Sequence, residues 1–256
     1  MIKPFLIAVQ FLTRLPVRLT TQPSEKDIGY SLLFYPLIGL IIGFLLIGLG
    51  WLLSSTPPLV TAALLVTFWI LLTGGLHLDG LADSTDAWIG GMGDRIKTLA
   101  IMKDPNCGPA GIVAIVLIIL LKFAALYTLV IENEWIALLL AIILARTLLL
   151  LLFLTTPYVR NNGLGSSLAA NQPRRWSISI LSAVFLSMLL LTDLRYLLLA
   201  LTSVITFLFL RHLMFQRIGG TTGDTAGAVV EITETTVLLI SVITLNTNIY
   251  SIIELQ

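Results

Sequence analysis

An all-α fold, a polytopic bundle of membrane-spanning helices, is the class that this sequence predicts, and two observations carry it. Of the 256 residues 57% are hydrophobic and only 11% charged, whereas soluble domains carry about 25% charged residues. The apolar residues also fall into runs of spanning length, about 20 residues for roughly 30 Å of hydrocarbon. A net charge of +1 excludes a strongly basic nucleic-acid surface, so no nucleic-acid partner is expected. The single cysteine, Cys107, excludes an intramolecular disulfide framework and any site of several thiolates.

The elements follow in chain order. Phe5, Val9 and Leu12 recur at i, i+4 and i+7, with Gln10, Thr13 and Arg14 off that stripe and Pro16 as a stop. This predicts an amphipathic helix over residues 3–15 lying in the membrane interface. A signal peptide is the alternative, but the stretch contains Gln10 and lacks a small-x-small cleavage site. Seven apolar runs then qualify as spans: 29–53, 59–73, 109–131, 135–155, 176–192, 195–215 and 224–245. The second and fifth are short. Gly39 and Gly43 in the first run are spaced for helix packing. The whole chain, 1–256, reads as one integral membrane domain.

Orientation follows from the cations, which are retained on the cytoplasmic side. With the N-terminus inside, twelve of the fifteen Lys and Arg fall on the cytoplasmic side; only Arg195 falls outside, and Lys122 and Arg146 lie within spans. Seven spans in the cytoplasmic (inner) membrane, N-terminus in and C-terminus out, are therefore expected. The outward connections are short and bare, so the chemistry belongs to the cytoplasmic face.

The densest polar segment there is 74–108. If it is helical from about Leu78, Asp79, Asp83 and Asp86 stand at i, i+4 and i+7, within roughly 60° of one another on the wheel. Three carboxylates on one face repel each other unless a cation neutralises them. Mg²⁺ suits such a face, since it takes a few carboxylates and keeps waters or phosphate oxygens for the rest of its shell. A solvated acidic helix start is the plainer alternative. The spacing is not that of an EF-hand, and His77 falls on the opposite face. Glycines at 90, 91 and 93 permit close approach of a bulky ligand, and Arg95, Lys97 and Lys103 suit phosphate oxygens.

A second polar set opens the last span. Gly219-Gly220-Thr221-Thr222-Gly223-Asp224 could present amides and hydroxyls, Thr222 among them, to a phosphate. Asp224 reaches the same boundary as the first acidic row and is a candidate fourth metal ligand. Glu231 and Glu234 lie roughly 10 to 15 Å inward, at a depth like that of Arg146 and Lys122. Isolated charges there are costly, so at least one ion pair among the four is expected. Whether that network only packs helices or also binds substrate stays open. His212 and Cys107 receive no role.

Several blocks together resemble the cobalamin synthase family, the adenosylcobinamide-GDP ribazoletransferases. They are Phe11-Leu12-Thr13-Arg14-Leu15-Pro16-Val17, Tyr35-Pro36-Leu37-Ile38-Gly39, Gly74-Gly75-Leu76-His77-Leu78-Asp79-Gly80-Leu81-Ala82-Asp83, Met102-Lys103-Asp104, Lys122-Phe123-Ala124-Ala125-Leu126 and Gly219-Gly220-Thr221-Thr222-Gly223-Asp224-Thr225. They occur in the family's order and span nearly the whole chain. The resemblance implies a Mg²⁺-dependent transferase joining adenosylcobinamide-GDP to α-ribazole or its 5′-phosphate, with adenosylcobalamin or its 5′-phosphate and GMP as products. It implies catalytic roles for Asp79, Asp83, Asp86 and Asp104, metal binding by Asp79, Asp83, Asp86 and Asp224, and substrate binding by Arg14, Arg95, Lys103, Lys122, Arg146, Thr222, Asp224 and Glu231. Membrane lipid is an expected partner, and a homo-oligomer or a complex with other late corrinoid enzymes is left open.

Two other classes compete. A secondary transporter could use Glu231, Glu234, Lys122 and Arg146 as an ion relay, but would need access from both sides and shows no inverted repeat. A CDP-alcohol phosphotransferase also sets spaced aspartates on membrane helices, but its Asp-Gly-x-x-Ala-Arg pattern is broken here, where Asp83 follows Ala82.

Overall fold

The computed structural model describes residues 1–19, 21–160, 163–191 and 193–246. Thr192, the expected end of the fifth run, and the C-terminal residues expected on the outer side lie outside them. The described residues are helical, with a single isolated bridge between Tyr158 and Thr221 and no strand.

Helix α1 (Ile2–Leu12) buries Ile7, Ala8, Val9 and Leu12. Phe5 meets Phe34 edge-on at 5.7 Å. The expected apolar stripe thus docks on protein, and Ile2 and Phe11 remain exposed. Helix α2 (Glu25–Ser31) starts from a reciprocal cap of Ser24 and Asp27. It continues through a 3-10 turn, Leu32–Phe34, into α3 (Tyr35–Leu52). Helix α4 (Pro58–Thr73) and α5 (Leu76–Gly91) meet at an 87° bend. Gly74 and Gly75 make it at φ 65° and 68°, which side chains disfavour. Gly74 is required twice over, because Arg14 lies where its Cβ would stand.

Beyond α6 (Arg95–Ile101), capped by Asp94, come α7 (Pro109–Ile131), α8 (Trp135–Thr155), α9 (Leu164–Asn171), α10 (Arg174–Met188), α11 (Leu194–Ile218) and α12 (Gly223–Asn246). Helix α8 is the axis of the bundle, buried along most of its length. Gly39 and Gly43 face it as expected, and a Cβ on Gly39 would stand 3.1 Å from the Ile142 carbonyl. The outer faces of α7 and α11 expose Val113, Val116, Leu120, Leu201, Ile205 and Phe209, an apolar belt that lipid would cover.

By length and composition five helical stretches among the described residues suffice to cross a membrane, or six if the bent α4–α5 pair is one span. This is a multi-pass membrane protein. The two short runs are again the exceptions, α4 with 16 residues and α10 with 15. The connections explain how α10 still serves. Pro157 and Thr221 join the end of α8 to the start of α12. At the other end Arg195, starting α11, lies 3.3 Å from Glu134, at the start of α8. The chain must therefore return between α8 and α11, and α10, roughly 22 Å long, makes that return.

Candidate functional site

Helix α5 sets Asp79, Asp83 and Asp86 on one face, as expected, and small residues bring α12 against it. A Cβ on Gly80 would stand 2.7 Å from the Asp224 carbonyl, and one on Gly227 3.2 Å from the His77 carbonyl. This close crossing carries Asp224 to the acidic row. Asp79 is exposed, whereas Asp83, Asp86 and Asp224 are half-buried. Asp83 lies in the field of the Asp79, Asp224 and Asp86 carboxylates, opposed by Arg160.

The four carboxylates do not converge as a preassembled set: among the described residues no three His, Cys, Asp or Glu side chains are grouped to hold one ion. Their partners explain why. Asp86 accepts from the Gly108 amide at 2.7 Å and the Gly111 amide at 2.9 Å, so both its oxygens anchor the start of α7. Asp224 pairs with Arg160 at 2.7 Å, and Arg160 also donates to the Met102 carbonyl at 3.2 Å. Arg160 is placed by the loop after α8: Val159 N–H donates to Thr221 O, and Thr221 N–H to Pro157 O. Among the described residues, neither the Asp79 nor the Asp83 carboxylate has a hydrogen bond or ion pair of this kind.

The remaining expected residues sort by exposure. Thr222 is buried; its hydroxyl accepts from the Thr225 amide while the Thr225 hydroxyl accepts from the Thr222 amide, a reciprocal cap on α12. Asp104 is exposed and accepts from the Asn106 backbone and side-chain nitrogens, which holds its carboxyl below the usual carboxylate range. Arg14, Arg95 and Lys103 are exposed, with Arg95 lying beside Gly219.

Next to the acidic row lies a cavity of about 220 Å³, reached by Asp79 and Asp224 and otherwise walled mainly by Phe11, Tyr35, Leu149 and Phe153. Phe11 stacks on Tyr35 at 6.3 Å and Phe153 on Tyr158 at 6.1 Å. His77, off the carboxylate face as expected, lines this cavity.

The intramembrane charges pair as expected. Lys122 Nζ donates to Glu231 Oε2 at 2.6 Å and also to Glu234, which pairs with Arg146 on its other oxygen. Lys122 also stands 4.4 Å over the Trp69 ring. All four charged groups are buried. Lys122, Arg146 and Glu231 thus turn their charges toward this network, whose hub, Glu234, was absent from the expected substrate-binding set. Sequence reasoning also missed Arg160, a lone loop cation with no motif around it, and Tyr158.

Spanning helices with a carboxylate row and an apolar cavity at one end of the bundle define a polytopic membrane protein with a polar site at that end. A family described as Cobalamin-5-phosphate synthase matches residues 4–242, and the chain belongs to that family. It is 54% identical over 236 residues to a protein of Pseudomonas fluorescens strain Pf-5 named adenosylcobinamide-GDP ribazoletransferase, covering 92% of this chain and 97% of that one. Proteins of the same name from Pseudomonas savastanoi pv. phaseolicola and Stutzerimonas stutzeri are 51% and 52% identical; each match covers 92% of this chain, and 97% and 96% of those. No solved structure matches the chain.

Proposed function

We propose that the chain performs the reaction for which its relatives are named, joining adenosylcobinamide-GDP to α-ribazole or its 5′-phosphate and releasing GMP. The observation that carries this is identity above 50% across 92% of the chain with proteins of that name. A ribose hydroxyl oxygen forms a bond to the phosphorus bearing cobinamide, the bond from that phosphorus to the GMP oxygen breaks, and the hydroxyl proton is lost. Such transfers depend on positioning and charge neutralisation.

The carboxylate row suits Mg²⁺ by donor chemistry: all oxygen, with Asp79 and Asp83 open and Asp224 beside them. An ion that takes one or two carboxylates and fills its shell with water and phosphate oxygens does not require a closed cage. Asp79 and Asp83 would hold it, and when bound it would neutralise the diphosphate. Arg160, paired with Asp224, and the exposed Arg95 and Lys103 are the cations placed to meet phosphate oxygens. Purified protein in lipid, given both substrates, should release GMP with Mg²⁺ and not with chelator; no GMP under either condition would overturn the reading.

The acidic site faces the cytoplasm in this reading, with the chain in the inner membrane. The twelve-to-one cation split supports it. Reporters fused to the two ends should then fall in different compartments, the N-terminal one in the cytoplasm. Both reporters on one side would rule out seven crossings.

A further inference from the structure

We propose that the apolar cavity beside the acidic row seats the heteroaromatic base of α-ribazole, with His77 as the residue that reads the base's free ring nitrogen. This rests on the ribazoletransferase reading and names which part of which substrate the cavity takes.

The cavity's chemistry selects among the groups the reaction brings. Its volume of about 220 Å³ admits one two-ring system and not a corrin macrocycle. Its wall is aromatic and aliphatic, suited to stacking on a flat ring. His77 is only 4% exposed, and its Nδ1 has no hydrogen-bond partner. The Tyr35 hydroxyl, also buried in the cavity wall, likewise has no hydrogen-bond partner. Polar groups without a partner in a buried setting are unfavourable by about 1–3 kcal/mol, so a His77 imidazole that lines the cavity with no hydrogen bond of its own points to a ligand.

Two bicyclic bases are available, guanine and the benzimidazole of α-ribazole. Guanine carries donors or acceptors on nearly every edge, and this wall would strand most of them. A benzimidazole joined to ribose through one nitrogen keeps a single acceptor, the other ring nitrogen, and is otherwise apolar. A ring N–H of His77 at the cavity wall donates to that acceptor.

The placement also orients the nucleophile. With the base inside, the ribose must leave the cavity at its polar edge, where Asp79 and Asp224 stand. Its hydroxyls then meet the acidic row where the diphosphate is to be held, and the guanine stays outside.

The test uses lipid-reconstituted full-length protein and two readouts: equilibrium dialysis of labelled α-ribazole alone, and initial rates of GMP release. Leu164 lines the cavity and is 42% exposed, so Leu164→Trp narrows it without disturbing the core. This variant should weaken α-ribazole binding and raise its KM by about tenfold or more, with KM for adenosylcobinamide-GDP unchanged. His77→Phe should weaken α-ribazole by about 2- to 10-fold, yet not weaken a matching riboside whose acceptor nitrogen is replaced by C–H; His77→Asn should restore most of the difference. Unchanged α-ribazole binding in Leu164→Trp, a rise in KM for adenosylcobinamide-GDP instead, or wild type that binds no α-ribazole would overturn the proposal. Wild type that binds α-ribazole but releases no GMP would sink the transferase reading alone, and the dialysis of the variants would still decide the cavity.

Discussion

Glu234→Ala is expected to destabilise the protein by about 3 to 5 kcal/mol, the range for stripping a partner from a buried ion pair. Lys122 and Arg146 face Glu231 and Glu234, so two positive charges balance two negative ones in a region sealed from water. Glu234 is the only one of the four that touches both cations, and it is 0% exposed, as is Arg146. Removing it leaves Arg146 without its acid, while Lys122 keeps Glu231. Arg146 is fully buried, and its Nε and Nη2 already have no partner.

The same arithmetic gives the control. Arg146→Met combined with Glu234→Leu restores neutrality with apolar groups of similar bulk and should recover most of the loss. Thermal unfolding of the reconstituted protein checks both variants. A single variant within about 1 kcal/mol of wild type would mean the charges are solvated, against the burial seen here.

Features carried by local spacing were legible in the sequence. The apolar runs, the single-faced row on α5, the Gly39 and Gly43 packing stripe and the depth match of Lys122 and Arg146 with two glutamates all follow from helical periodicity. What spacing does not record is a partner distant in the chain. Asp86 binds amides 22 and 25 residues away, and a backbone amide has no sequence signature. Arg160 reaches Asp224 only because the loop after α8 pairs with the strand-like lead into α12. The wheel placed His77 correctly off the carboxylate face, but it could not say that the other face borders a cavity. Nor could amphipathicity distinguish lipid from protein as the surface that covers α1.

Asp83→Asn is expected to lower GMP release by about 100-fold or more, with partial recovery as Mg²⁺ is raised, because a ligand carboxylate stabilises charge in the transition state by several kcal/mol. Asp86→Asn is expected to behave differently although both residues share one helix face. Its two oxygens hold the first amides of α7, so losing the charge should lower stability by about 1 to 3 kcal/mol and leave the Mg²⁺ concentration for half-maximal rate unchanged. The contrast separates a metal-holding carboxylate from a helix-anchoring one. A purely structural acidic face predicts the reverse for Asp83: removing one of several like charges relieves repulsion, so Asp83→Asn would be more stable and about as active as wild type. Rates against Mg²⁺ concentration, measured with unfolding temperatures on the same preparations, decide it. Full activity of Asp83→Asn at ordinary Mg²⁺ would remove Asp83 from the metal set and leave Asp79 as the one open carboxylate on that face.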